Sequence, residues 1–216
     1  MVKNVKGIIT DFDNTLVQTQ KFIKEHLGKT CRKMKCNEPD PQTLQNTLKK
    51  NLPFEQIFTE LFGEMSGPEV LAAYREDAMV TYFNPTPGAL EMVKAAKQKG
   101  VPVLIVSNRT NKLAERLVQA GFAPEDFLKI IEPAVKKPSE GAYTEAFAEL
   151  ATNKVQPQET LIIGDSLDDY QALSPELKNN FAAVTTGPNS RDEFIALGVL
   201  MENVLDSLAG LDKILA

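Results

Sequence analysis

The stretch Val5-Lys6-Gly7-Ile8-Ile9-Thr10-Asp11-Phe12-Asp13-Asn14-Thr15-Leu16-Val17 decides the fold. Its apolar run, Gly7-Ile8-Ile9-Thr10, reads as a buried strand of a parallel sheet. The run stops at two carboxylates, Asp11 and Asp13, followed by Asn14 and Thr15. Packing does not account for acids at the end of a buried strand, because an isolated buried carboxylate is costly. Ligand binding does, because in an open α/β sheet ligands sit beyond the carboxyl ends of the strands.

Two further segments repeat the pattern. Val101–Val106 has five apolar residues in six and ends in Ser107-Asn108-Arg109-Thr110. Thr160–Ile163 ends in Gly164-Asp165-Ser166-Leu167-Asp168-Asp169. Between them, Lys136-Lys137-Pro138 precedes a helical pattern from Ser139. Three strand ends thus supply acids, a hydroxyl, a cation and backbone amides, a set suited to a charged ligand.

Together these segments resemble the haloacid dehalogenase superfamily. Asp11–Thr15 (D-x-D-x-T) is similar to its motif I, Ser107-Asn108 to motif II, Lys137-Pro138 to motif III and Gly164-Asp165-x-x-x-Asp169 to motif IV. The motifs occur in the family's order, and the match spans about 1–18 and 84–187. It is nearest the phosphatase and phosphomutase branch with a helical cap, and is phosphoglycolate phosphatase-like. Asn14 stands where glycine is commoner, and both residue types tolerate unusual backbone angles.

The resemblance implies an α/β fold, a doubly wound, Rossmann-like parallel sheet of order 3-2-1-4-5 with an inserted α-helical cap. Residues 1–18 and 84–216 are expected to form the core and 19–83 the cap. Asp11 is implied as nucleophile and Asp13 as general acid and base. Asp13 also speaks for phosphate esters over halides, since a departing halide needs no proton. Mg²⁺ is the implied cofactor, and the metal positions are Asp11, Asp13 (through its carbonyl), Asp165 and Asp169. Asp169 is expected to act through water or by holding other groups, with Asp168 as its rival. Lys137 faces the phosphoryl group as a point charge, with Lys136 a bystander. Ser107 and Asn108 bind substrate, and Arg109 either touches substrate or is merely exposed. Thr15 is read as the N-cap of the following helix.

Bulk properties limit the alternatives. A net charge of −5 over 216 residues does not provide the basic face that nucleic acid requires. No apolar run approaches 18 residues, so neither a membrane span nor a signal peptide is read, and the expected compartment is cytoplasmic. Two cysteines, Cys31 and Cys36, are too few for a disulfide scaffold. His26 lies five residues before Cys31, so the three would not share one face of a continuous helix. They read as ordinary cap residues rather than a zinc site.

Helical periodicity follows the first motif. Phe54, Ile57, Phe58, Leu61 and Phe62 form one apolar face, and Leu71, Tyr74 and Ala78 continue the theme after Gly67-Pro68. Asn84-Pro85-Thr86-Pro87-Gly88 reads as the return hinge, with Pro87 starting a helix that Gly100 stops. Beyond it helix and strand alternate: helix 110–120, strand 128–131, helix 139–150, strand 160–163, helix 168–173, strand 181–186 and a closing helix from about Val204. Alternation of this kind means a doubly wound sheet. Between Thr19 and Lys50 stand eight cations and three acids, a net +5. The expected activity is hydrolysis of a small phosphorylated metabolite. The rival readings are a mutase of the β-phosphoglucomutase kind and a non-catalytic scaffold that binds a partner through the cap. The sequence leaves the oligomeric state and the particular ester open.

Overall fold

The computed structural model describes residues 4–50, 52–78, 83–109 and 112–213. The chain divides into two compact units, one of residues 1–18 and 83–216 and the other of residues 19–82.

The larger unit is built on a six-stranded parallel sheet. Its strands are β1 (Gly7–Thr10), β2 (Val103–Val106), β3 (Lys129–Ile131), β4 (Thr160–Gly164), β5 (Phe181–Val184) and β6 (Val204–Leu205). The order is β3-β2-β1-β4-β5-β6, the expected arrangement extended by one edge strand. β1 is central, with Ile9 opposite Leu104 on one side and Ile162 on the other. All four of its residues are buried, which explains why it reads as a continuous apolar run rather than an alternating one.

Successive strand residues point to opposite faces. On one face Ile9, Leu104, Ile162 and Phe181 pack with residues of α6 (Thr144–Thr152), α7 (Leu167–Gln171) and α8 (Arg191–Leu197), among them Leu150, Tyr170 and Phe194. Ile8, Val103, Ile105 and Leu161, of the opposite parity, are equally buried. α4 (Ala89–Gln98) packs against β2 and buries Ala89, Met92, Val93 and Ala96. Each fully buried Leu, Ile or Phe contributes about 1.5–3 kcal/mol of transfer free energy.

Several boundaries move from their expected places. α4 starts at Ala89, with Gly88 in a left-handed conformation before it, so Pro87 lies outside the helix. α5 is confined to Leu113–Gln119, and Thr110 falls outside the described residues. The expected helix from Ser139 begins as a 3₁₀ turn over Glu140–Tyr143 and becomes α-helical at Thr144. β5 ends at Val184 rather than Thr186.

The closing helix from Val204 does not form. Val204 and Leu205 instead pair with Ala183 and Val184 as the edge strand, and among the described residues that follow the one helical turn is a 3₁₀ turn at Leu211–Lys213. α8, which the alternation did not indicate, precedes it. There the Ser190 side chain accepts from the Glu193 amide, and Glu193 reaches back to the Ser190 amide, a capping box.

The smaller unit consists of α1 (Thr19–Met34), α2 (Pro41–Lys49) and α3 (Phe54–Ala78). α2 begins at an Asp40 cap whose side chain accepts from the Gln42 and Thr43 amides. Its core gathers Leu27, Cys31, Leu44, Ile57, Phe58, Val70, Leu71 and Tyr74, with Phe54, Leu61 and Phe62 at the margin. The phenylalanine stripe is therefore internal packing of this unit. The break in α3 falls at Gly63 (φ 84°, ψ 166°), not at Gly67-Pro68. Buried His26 places Nε2 3.0 Å from the Tyr74 carbonyl oxygen and stacks on Phe22. Cys31 and Cys36 are both free thiols, and burial pushes the Cys31 thiol up to about 12.

Candidate active site

With β2 on one side of β1 and β4 on the other, the residues after Thr10, Val106 and Gly164 emerge as neighbours at the carboxyl edge of the sheet. Asp11 makes the last sheet bond, its amide donating to the Ile163 carbonyl (2.9 Å). The chain then turns tightly. The Leu16 and Val17 amides donate to the Phe12 carbonyl, and the Asn14 amide donates to that of Val17. Phe12 is wholly buried and anchors the turn. Asn14 takes a left-handed conformation (φ 58°), one of the unusual backbone angles that asparagine tolerates.

Thr15 departs from its expected role as a helix cap. It is fully buried, α1 starts only at Thr19, and its hydroxyl donates to Asp165 Oδ1 at 3.0 Å. The residue ties the turn after β1 to the acid after β4.

Lys137 lies at the centre of a buried polar cluster. Its Nζ donates to Asp11 Oδ1 (2.6 Å), Asp169 Oδ1 (2.6 Å) and the Val106 carbonyl (2.9 Å). An ammonium carries three donors, and all three are used. The lysine backbone is held by Asn108, whose side-chain oxygen accepts from the Lys137 amide (3.0 Å) and whose Nδ2 donates to its carbonyl (2.9 Å). Asn108, expected to bind substrate, thus uses its side chain to fix Lys137. Asp169 Oδ2 accepts from both the amide and the hydroxyl of Ser166, which aims Oδ1 at the lysine. Tyr143, a residue no motif singled out, sets its hydroxyl 3.4 Å from Asp169 Oδ1.

The electrostatics follow from burial. Desolvation raises the Asp11 carboxyl from 3.8 to about 7, against the pull of Lys137 and with help from Asp169 and Asp13. Asp165 is likewise raised well above the usual carboxylate range, first by burial and then by Asp11 and Asp169. Burial alone would depress Lys137, but the carboxylates of Asp11 and Asp169 overcome it and hold the ammonium well above its ordinary range. Three buried acids face one buried cation, so carboxyl groups are in excess and do not all ionise without a further cation.

That excess fits a hard divalent cation. From the described residues, neither Asp11 Oδ2 nor Asp165 Oδ2 accepts a hydrogen bond. Among those residues no three acidic, histidine or cysteine side chains converge as a ready-made cage. Mg²⁺ does not need one, since it is commonly held by one or two carboxylates and retains several waters. Asp11, Asp165 and the Asp13 carbonyl are the groups that would hold such an ion, while the side chains of Asp13 and Asp169 turn to other partners. Two glycines keep the acids in place. A Cβ at Gly187 would overlap the Asp165 carboxylate, and one at Gly164 would overlap that of Asp169.

Ser107 is buried at the end of β2, where its amide donates to the Ile131 carbonyl and its hydroxyl accepts from the Arg109 amide (3.2 Å). Arg109 grips Asp13 with both arms of its guanidinium, Nε to Oδ2 at 2.9 Å and Nη2 to Oδ1 at 2.6 Å. Sequence reasoning left this arginine open between substrate contact and solvent.

Residues 8–183 match the haloacid dehalogenase-like hydrolases. The chain belongs to that family. A Clostridium perfringens member named as the pyrophosphatase PpaX is 25% identical over 174 residues, 78% of each chain. The phosphoglycolate phosphatase of Aquifex aeolicus is 26% identical, over 78% of this chain and 79% of its own. Among solved structures, a haloacid dehalogenase family hydrolase from Deinococcus radiodurans with bound phosphate and sodium superposes with a TM-score of 0.75. It is 21% identical, over 97% of this chain and 94% of that one. As a haloacid dehalogenase-like hydrolase the chain is an enzyme, and no helix among its described residues is long and apolar enough to cross a membrane.

Proposed function

We propose that the protein is a Mg²⁺-dependent phosphomonoesterase of the cytoplasm. It acts on small phosphorylated metabolites, phosphoglycolate-like esters foremost, rather than on nucleic acid, through a phosphoenzyme on Asp11. The observation that carries this reading is Lys137 Nζ bridging Asp11 and Asp169 at 2.6 Å each. A carboxylate nucleophile and a cation for the phosphoryl oxygens are thereby fixed within one buried cluster before substrate arrives.

In the first half-reaction an Asp11 carboxylate oxygen bonds to phosphorus, the ester P–O bond breaks, and Asp13 gives its proton to the departing oxygen. In the second, Asp13 takes a proton from water as that water attacks phosphorus and frees Asp11. Bound Mg²⁺ supplies positive charge that shields Asp11 and Asp165 from the phosphoryl dianion. The Ser107 hydroxyl and the backbone amides after Asp11 and at Asn108 supply directed donors. The helical unit, residues 19–83 by the sequence reading, is the element we assign to substrate specificity.

The decisive experiment is Asp11→Asn with a chromogenic phosphate ester and Mg²⁺. The variant keeps the fold by circular dichroism and loses turnover, because an amide does not form the acyl phosphate. Appreciable Mg²⁺-dependent turnover by folded Asp11→Asn protein refutes the mechanism. Prompt release of inorganic phosphate by the parent separates hydrolysis from mutase chemistry, in which the group passes to a second hydroxyl.

A further inference from the structure

Two cations serve the strand ends, and they differ in depth. The Lys137 side chain is 4% exposed and its partners Asp11 and Asp169 are 10% and 1% exposed. The Arg109 and Asp13 side chains are 23% and 29% exposed. The deep cation meets the phosphoryl group that bonds to Asp11. The shallow one stands beside Asp13, the residue assigned to the departing oxygen, and so on the side where the rest of the ester lies.

Arg109 is organised as a fork. Its two contacts to Asp13 are the paired, parallel geometry by which a guanidinium recognises a planar carboxylate. The guanidinium carbon lies 5.7 Å from the centroid of the buried Phe12 ring. The Arg109 amide is held by Ser107 Oγ. The side chain is thus supported from its own backbone and from the turn after β1. Asp13, bound in the fork, shows which anion the fork fits.

We propose that Arg109 selects phosphomonoesters whose leaving group carries a carboxylate close to the ester oxygen, the substrate carboxylate taking the place of Asp13 in the guanidinium fork. The inference rests on the phosphatase reading above, and it adds the residue that reads the leaving group and the chemistry that it reads. The substituent that recruits Arg109 is also the one that releases Asp13 toward the departing oxygen. An ester without that carboxylate leaves the pair closed. A lysine in this place would keep the charge but not the fork.

The test separates binding from turnover. Calorimetric titration of Asp11→Asn protein with 2-phosphoglycolate and with its carboxamide analogue is expected to show at least about tenfold tighter binding of the carboxylate, the scale of one charge-assisted pair. In Asp11→Asn/Arg109→Gln the two ligands should bind within about twofold of each other. Asp11→Asn/Arg109→Lys should recover only part of the preference. A preference that survives in the Gln variant, is absent in the Arg109 protein, or is fully restored by Lys overturns the proposal. Hydrolysis of both esters by the parent decides the phosphatase reading separately. A parent that turns over neither ester refutes that reading, while the titrations still decide the role of Arg109.

Discussion

Thr15 and Asp165, 150 residues apart in the chain, meet through a buried hydrogen bond of 3.0 Å. The hydroxyl is the one donor that the described residues give to this acid, and it fixes the carboxylate beside the end of β1. Thr15→Val keeps the shape and removes the donor. We expect it to cost about 1–3 kcal/mol of stability, the scale for an unsatisfied buried group, and to raise the Mg²⁺ concentration needed for half-maximal activity. Thr15→Ser should restore both. A Val variant with the parent's Mg²⁺ dependence would show that Asp165 needs no such anchor.

Gly187 is constrained by space. Gly187→Ala inserts a methyl group where the Asp165 carboxylate lies, so the acid must move. The expected result is a folded protein whose activity falls at least about tenfold, with a modest loss of melting temperature typical of local overpacking. Full activity in the variant would mean that Asp165 swings freely.

The Asp11 carboxyl supplies a pH prediction. Its folded value of about 7 lies above the ordinary 3.8. The folded chain therefore holds this proton more tightly than the unfolded chain does, and the group destabilises the fold increasingly as pH rises from about 4 to 7. Protein stripped with EDTA should gain melting temperature from this group as pH falls through that window. Mg²⁺ favours the ionised acid, so its affinity should weaken below pH 7 and its binding should release protons. Calorimetry at pH 6 in two buffers of different ionisation enthalpy measures the release. No proton release there would contradict the raised value.

The basic segment between Thr19 and Lys50 offers a test by salt. Neutralising Arg32, Lys33 and Lys35 together removes three of its eight cations. If the segment draws anions inward, kcat/KM for dianionic esters falls and its salt dependence flattens, because screening shortens from about 10 Å at 0.1 M to about 3 Å at 1 M ionic strength. Arg32 already pairs with Glu38 at 2.7 Å on an exposed surface. Parent-like rates at low salt on every ester would mark the segment as a solvated face.

The strand ends were legible because each joins two signals that rarely coincide, an apolar run and an abrupt polar stop. Asp11, Ser107 and Asp165 stand out on that ground and Lys137 by its place before Pro138 at a helix start, and the structure places them at adjoining strand ends and the loop between. The partnerships were not legible. Thr15 with Asp165 and Arg109 with Asp13 cross 150 and 96 residues, and no local pattern encodes a contact at that range. The misread closing helix has a different cause. Val204, Leu208 and Leu211 fall at helical spacing, but Gly210 sits at φ 89°, and the edge of β5 offers Val204 and Leu205 a ladder that periodicity cannot anticipate. α8 was missed despite a visible signal, the Ser190-x-x-Glu193 capping box.

The placement of β1 at the centre of the sheet has a consequence for synthesis. β1 leaves the ribosome before either of its neighbours, yet Gly7 pairs with Thr160 and Ile8 with Val103. At about 5–20 residues per second, β1 waits roughly 8–30 s for β4. During that interval an apolar segment with unpaired edges is exposed, the condition under which strands pair with the wrong chain. The acids that end β1 then have a second use, since charge at the end of a hydrophobic run opposes such pairing. The residues that would hold the metal in the finished enzyme guard the nascent chain until the sheet can close around them.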